Sequence, residues 1–348
     1  MKAKDILRRT LLLAACACFS LSGRAQSETE SFVLMEYNVE NLFDTVHAEG
    51  KHDVEFTPQG ERKWDTRRYR HKLSMLARAI ISASDGVPPT VVGLCEVEND
   101  SVLRDLTQRT RLARAYYSYI CTSSSDVRGI NVALLYDPLR FRPVSVDTFS
   151  VFLGADVRPT RDVLHVAGLL TSGDTLDIVV CHLPSRMGGR RHTEPSRMRV
   201  AECLRTLTDS IMTVRTRGGV VLMGDFNDDL AARPLRQTLG ARPARGIFLP
   251  AKLYDVCCRR QGKNVPQGTY KFRRRWQHID HVLLSGTLLM GAHSLRAATD
   301  CASTLSPDFL LESDGEHGVR PRRTFLGPVY HGGTSDHLPT VVRFTLQR

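Results

Sequence analysis

Asp225 and Asn227 follow the uncharged run 220–223 within the segment Val-Val-Leu-Met-Gly-Asp-Phe-Asn-Asp, residues 220–228. The run reads as a buried strand that stops in a carboxylate and a carboxamide two residues apart. Side chains alternate along a strand, so this pair is expected to point the same way. Such a pair can accept from a water and donate to an anionic oxygen, which suits phosphoryl transfer. The pattern of an apolar strand stopping in a polar residue recurs along the chain. The run 32–37 leads into Asn38 and Glu40, expected on one face by the same count. The run 91–95 leads into Glu96, 176–181 into His182, and 279–285 carries Asp280 near its start. Ser335-Asp336-His337 stands just before the last strand. Each instance alone is explained as a strand end or a turn. Together they gather oxygen ligands for a hard divalent cation, with histidines beside them for proton transfer.

These residues need strands to position them. The sequence predicts strands at 32–37, 91–95, 130–136, 163–170, 176–182, 219–224, 279–285 and 339–346. Leu73, Leu76, Ala77, Ile80 and Ile81 mark one face of a helix over about 66–83. Met198, Ala201, Leu204, Leu207 and Ile211 mark a second, stopped by Gly218-Gly219, and 100–115 reads as a third. Thr171-Ser172-Gly173-Asp174 joins two strands as a hairpin. The mixture points to an α+β class with sheets packed face to face and helices outside. No Pro/Gly/Ser linker divides the chain, so residues 30–348 read as one domain.

The ordered set Asn38/Glu40, Glu96, His182, Gly224-Asp225-Phe226-Asn227, Asp280 and Ser335-Asp336-His337 resembles the endonuclease/exonuclease/phosphatase superfamily over residues 32–346. Local wording such as YNVENLFD, HLPSRMGG and GGTSDHLP is most similar to its exported bacterial, endonuclease-like branch. The resemblance implies the deoxyribonuclease-I-like four-layer sandwich, two packed mixed β-sheets flanked by helices. It implies Mg²⁺, with Mn²⁺ or Ca²⁺ as alternatives, held by Glu96 with Asn38, Glu40 and Asp336. It implies His337 as base or phosphate donor oriented by Asp280, Asp225 and Asn227 as positioners of water, and His182 as donor to the phosphate or leaving group. Arg128, Arg186 and Tyr270 are the implied substrate contacts. Asn131 stands where relatives often carry Asp, and no acid in the sequence is matched as a partner of His182, although Asp126 is near the right region.

Residues 270–276 (Tyr-Lys-Phe-Arg-Arg-Arg-Trp) allow two readings. If extended, Tyr270, Phe272 and Trp276 share a face for stacking on bases, with the basic residues on phosphates. Alternatively the aromatics are core and the basic face is solvated. Arg190 and Arg191 read as loop charges, and 230–265 and 300–333 as loops shaping the groove.

The first 25 residues read as a targeting leader: Lys2, Lys4, Arg8 and Arg9, then an apolar stretch from Leu11 to Leu21 and small residues to Ala25. Cleavage near Ala25-Gln26 is expected; Leu13-Ala14-Ala15-Cys16 offers lipid attachment at Cys16 instead. Either route predicts export, periplasmic, secreted or lipid-anchored. Loss of the leader lowers the formal charge from +11 to +7, still suited to a polyanion such as nucleic acid. Of the nine cysteines, seven follow the leader, an odd number with no zinc spacing, and Cys95 and Cys181 lie in strand-like runs as packed thiols. No apolar run is long enough for a membrane span, and a monomer is expected. Three functions remain open: a nuclease, a phosphatase or sphingomyelinase-like enzyme on another phosphoester, and a non-catalytic binding protein on the same scaffold.

Overall fold

The computed structural model describes residues 29–84, 86–215, 218–257 and 265–347. The expected leader, with Cys16, lies outside the described residues, as does Cys258. The first half of the chain forms β1 (Thr29–Leu42), α1 (Thr66–Ile81), β2 (Val91–Val97), α2 (Asp100–Gln108), β3 (Ser118–Cys121), β4 (Asn131–Tyr136), β5 (Phe141–Phe149) and β6 (Val163–Leu170). There follow β7 (Thr175–His182), α3 (Arg190–Val214), β8 (Gly219–Asp225), β9 (Arg242–Pro243), β10 (Leu253–Asp255), β11 (Tyr270–Phe272) and β12 (Arg275–Gln277). The rest comprises β13 (Asp280–Ser285), α4 (Gly286–Leu289), β14 (Leu295–Thr304), β15 (Leu311–Ser313), β16 (Val319–Pro321), β17 (Phe325–Leu326), β18 (Val329–Tyr330) and β19 (Thr340–Gln347).

One sheet has six strands in the order β14-β19-β1-β2-β4-β3; the other has seven, β5-β6-β7-β8-β13-β10-β9. Both are mixed, because β1–β2 and β7–β8 run parallel within otherwise mostly antiparallel ladders. The two-residue period of each strand sorts its side chains into layers. On β1, Phe32 and Leu34 enter the core between the sheets, while Val33, Met35 and Tyr37 join the cluster under α1 and α2. On β8, Val221 and Met223 face the other sheet, while Val220 and Leu222 pack beneath α3. Three apolar layers therefore hold four structural layers, helix, sheet, sheet, helix, and the fold is the α+β deoxyribonuclease-I-like sandwich.

The helices dock by the faces their sequences predict. Leu73, Leu76, Ala77 and Ile80 of α1 are buried, and Asp65 caps the helix by accepting from the Arg68 N–H. Val200, Ala201, Leu204 and Ile211 of α3 are buried against the second sheet. The helix expected over 100–115 breaks into α2 and a separate 3₁₀ turn at Arg111–Ala115, because Thr110 caps a new start through the Leu112 N–H. α3 stops at Val214, earlier than the Gly218-Gly219 signal, and Gly219 belongs to β8. Cys95 and Cys181 are buried thiols, as their apolar runs suggest. Among the described residues no helix is long and apolar enough to cross a membrane.

Candidate active site

The register of the second sheet lines up three of the candidate residues. His182 on β7 lies opposite Asp225 on β8, and Asp225 lies opposite Asp280 on β13. Residues directly opposite share a face, so the three stand abreast, at the end of the inner rows that begin with Leu176, Val221 and Leu284. The first sheet brings its own polar end against them. On the inner face of β1, Phe32 and Leu34 give way to Glu36 and Asn38, and Asn38 Nδ2 donates to Asp225 Oδ2 at 3.0 Å. Gly224 is what lets β8 come so close to β7. Its φ is +145°, and an added Cβ would lie 1.8 Å from the Cys181 carbonyl oxygen.

His337 arrives from the loop before β19. Its Nδ1 lies 2.9 and 2.8 Å from the two Asp280 oxygens, and its Nε2 stands 3.9 Å from Asp225 Oδ2. Asp280 is fully buried and also accepts from the Thr269 hydroxyl. Burial opposes charge on His337, but the Asp280 carboxylate overrides it and holds the imidazole well above its usual range. His182 goes the other way: burial, then the Arg161 and Arg128 guanidinium groups, push it well below that range, so it stays neutral. The Asp225 carboxyl is pushed up to about 7 by burial and by Asp280. One oxygen of Asp225 accepts the Asn227 N–H at 2.7 Å, while Asn227 Nδ2 donates to the Leu183 carbonyl at 3.0 Å.

Above this floor opens a cavity of about 570 Å³ whose lining includes His182, Asp225, Asn227, His337, Glu96 and Asp336. Three carboxylates therefore reach one cavity. Glu96 lies 3.6 Å from Arg128 and accepts the Asn41 N–H at 2.9 Å; Asp336 is paired with Arg323. Oxygen donors of this kind suit a hard divalent cation. Asp225, Asp280 and His337 also offer ligand atoms within 4.8 Å of one another. The residues present therefore fit a metal ion, with Glu96 and Asp336 the acids facing the open space. Backbone strain concentrates here: Glu40, Asn41, Glu96 and Asn227 have φ values of 50°, 51°, 65° and 52°. Left-handed backbone at four non-glycine residues is a mark of functional sites.

Several expectations need correction. Asn38 and Glu40 do not share a face, because the pairing of β1 with β2 shifts between Asn38 and Leu42 and Glu40 adopts a left-handed conformation. Glu40 instead accepts the Thr324 N–H at 2.7 Å, beside Lys72, and lines a neighbouring cavity with Arg62 and Arg323. Asn38 is 1% exposed and does not line the cavity; its Oδ1 accepts the Glu40 N–H and its Nδ2 positions Asp225. Asp126 pairs with Arg161 at 3.2 Å and not with His182, whose Nδ1 has no hydrogen-bond partner. Trp276 does not share a face with Tyr270 and Phe272. The turn at Arg273-Arg274 pairs it with Lys271, on the opposite side of the hairpin. Arg190 is no loop charge: it opens α3 and lies 3.0 Å from Asp228.

Arg128, Arg186 and Tyr270, the implied substrate contacts, line the same cavity. Sequence reasoning missed the carboxylate that anchors the arginines. Asp228 is fully buried, 2.8 Å from Arg197 Nε, 3.0 Å from Arg190 and 4.0 Å from Arg186, and Arg186 also donates to Gln277. Its signal was the second acid of Gly-Asp-Phe-Asn-Asp, one residue beyond the reading. Glu36 was missed too. It is fully buried with neither carboxylate oxygen hydrogen-bonded, and burial with Asp280 and Asp225 nearby pushes its carboxyl well up.

Comparison with known proteins agrees with this geometry. The sequence profile described as the Endonuclease/Exonuclease/phosphatase family matches residues 33–346. No curated protein matches the chain by sequence. Among solved structures, an endonuclease/exonuclease/phosphatase family protein from Bacteroides thetaiotaomicron is 17% identical with a TM-score of 0.59, covering 92% of this chain and 99% of that one. A mannosyl-6-phosphatase from the same organism is 17% identical with a TM-score of 0.57, covering 90% and 99%. D. rerio TDP2 complexed with a single-strand DNA product is 15% identical with a TM-score of 0.53, covering 90% and 99%.

Proposed function

The chain belongs to the endonuclease/exonuclease/phosphatase family, a family of hydrolases acting on phosphoester bonds, and on that premise we propose an exported, Mg²⁺-dependent phosphodiesterase that cuts nucleic acid as an endonuclease. The observation that carries the reading is the abreast set His182, Asp225, Asp280 with His337 at the floor of a cavity flanked by Arg128, Arg186 and Arg190. A net charge of +7 after loss of the leader and the Tyr270–Phe272 wall favour a nucleic acid over a lone sugar phosphate. The likeness to a mannosyl-6-phosphatase favours the second reading, a phosphatase on a smaller phosphoester. Export rests on the basic and apolar composition of residues 1–25.

Glu96 and Asp336 would hold the metal, which when bound supplies positive charge to the phosphate oxygens. The remaining work falls to the chain's own side chains. Asp280 fixes the His337 ring through Nδ1 and stabilises the imidazolium that forms when Nε2 of the neutral ring takes a proton from the attacking water. Asp225, oriented by Asn38 and by the Asn227 N–H, accepts from that water. His182, neutral, donates a hydrogen bond to a phosphate oxygen, and Arg186, held by Gln277, binds the phosphate of the adjoining residue.

The reading is tested by offering mature protein plasmid DNA, single-stranded RNA and bis(p-nitrophenyl) phosphate, with Mg²⁺ and with chelator, alongside His337→Ala. Nucleic-acid cleavage that both chelator and substitution abolish is expected. Turnover of the small diester alone would reject the nuclease and move the search to other phosphoesters. No turnover from folded protein would reject catalysis.

A further inference from the structure

We propose that the cleft-facing side of the β11–β12 hairpin is a stacking platform on which Phe272 receives an unpaired nucleobase beside the scissile phosphate. The proposal rests on the nucleic-acid reading and deepens it to a single-stranded substrate. Pairing across the hairpin sets Tyr270 opposite Gln277, Lys271 opposite Trp276 and Phe272 opposite Arg275. Tyr270, Phe272, Arg275 and Gln277 therefore share one side. The other side is committed to holding the hairpin in place. Trp276 packs on the core, and Lys271 Nζ lies 2.8 Å from the His317 and Val319 carbonyls and 2.9 Å from Asp314.

Planar groups continue outward from the catalytic histidine. The Tyr270 ring lies 4.8 Å from the His337 ring, and Phe272 follows at 6.5 Å, within 12° of parallel. Phe272 ends the row and is 49% exposed. It borders two cavities. One is the catalytic space; the other, about 350 Å³, is lined by Arg273 and Arg274, and by Lys271 and Arg320 paired with Asp314 and Arg323 paired with Asp336. A strand crossing Phe272 would thus meet cations on both sides of the stacked base. The turn supports the same use. Arg273 and Arg274 have φ values of 47° and 67°, where such hairpins ordinarily place Asn or Gly, and the Arg273 guanidinium sits 5.3 Å from the Phe272 ring. Two arginines in a strained, exposed turn bring charge to the platform, the Arg273 guanidinium over the ring itself. A base that stacks on a protein ring has left its partner and its neighbours, so a duplex does not satisfy the platform.

The test compares kcat/KM on a single-stranded DNA oligonucleotide with that on an abasic strand of equal length, for wild type, Phe272→Ala and Phe272→Trp. Wild type is expected to favour the base-bearing strand by about tenfold. Phe272→Ala brings the ratio near unity, and Phe272→Trp restores it. Phe272 is half in water, so both variants should fold, and their unfolding midpoints check this. A ratio unmoved by Phe272→Ala, equal rates on both strands in wild type, or preference for duplex would overturn the platform while leaving the nuclease standing. Failure to cut either strand or single-stranded RNA, by protein that hydrolyses bis(p-nitrophenyl) phosphate, would overturn the nucleic-acid reading and the platform with it.

Discussion

The His337 Nδ1 atom is held 2.8 Å from Asp280 Oδ2, and this one contact joins a loop near the C-terminus to the first residue of β13. It fixes the ring so that Nε2 faces Asp225 and the cavity. When the ring is neutral, the same contact keeps its proton on Nδ1 and leaves Nε2 to accept.

Asp280→Asn should lower kcat by roughly 10³-fold with little change in KM, because an amide can donate to Nδ1 and so stabilise the wrong tautomer. The fold should survive, since Asn fills the same space and can still accept from Thr269. Steady-state kinetics beside a thermal melt measures both. An activity within threefold of wild type would remove Asp280 from its role in orienting the base.

Asp228→Asn should cost about 3–5 kcal/mol of stability, because it leaves Arg197, 0% exposed, without its buried carboxylate. Arg186 and Arg190 lose the same anchor, so KM for a polyanionic substrate should rise. Denaturant unfolding and KM determinations on one preparation test the two halves separately; an unchanged unfolding midpoint would contradict the first.

Glu98 gives a pH dependence with a definite sign. Burial, with the Asp44 and Asp53 carboxylates nearby, pushes its carboxyl up to about 8, against an ordinary value near 4.3 in the unfolded chain. Between those values the folded state binds more protons, so stability falls as pH rises from about 4 to about 8. Glu98→Gln keeps an oxygen for the Asp44 N–H and removes the ionisation. The fall in melting temperature from pH 5 to pH 8 should therefore be smaller in the variant than in wild type. Equal falls in the two proteins would refute the assignment.

Asn131→Asp should destabilise the fold by about 1–3 kcal/mol. Asn131 Oδ1 accepts the Ser124 N–H at 2.7 Å, and Nδ2 donates to the Glu98 carbonyl at 2.7 Å. A carboxylate keeps the first bond and sets oxygen against oxygen at the second. Activity per folded molecule should not change. Chemical denaturation decides it, and an equally stable variant would show that the amide donor contributes nothing.

The sequence by itself determined the strands that carry the site. The core strands β2, β4, β6, β7, β8 and β13, and β1 from Val33 on, are buried on both faces, so their apolar runs are plain, and so are the polar residues at the site ends of β1, β2, β7, β8 and β13. The strands it did not reveal lie at or beside the edges. β5, β14, β3 and β9 close the two sheets, and β5 is mostly exposed from Arg142 to Thr148. β5 is wet on both faces over most of its length, so its sequence carries no apolar run or alternation to mark it. Tertiary structure alone decided the direction of individual side chains. The shift in register after Asn38 turned Glu40 away from the cavity, and the two-residue turn put Trp276 behind the hairpin. It alone also brought Asp228 under Arg186 and Arg190, and Asp280 onto His337, across 57 residues of chain. Periodicity along one strand records which residues are buried. Which of them meet depends on the register between strands, and that is set by contacts distant in sequence.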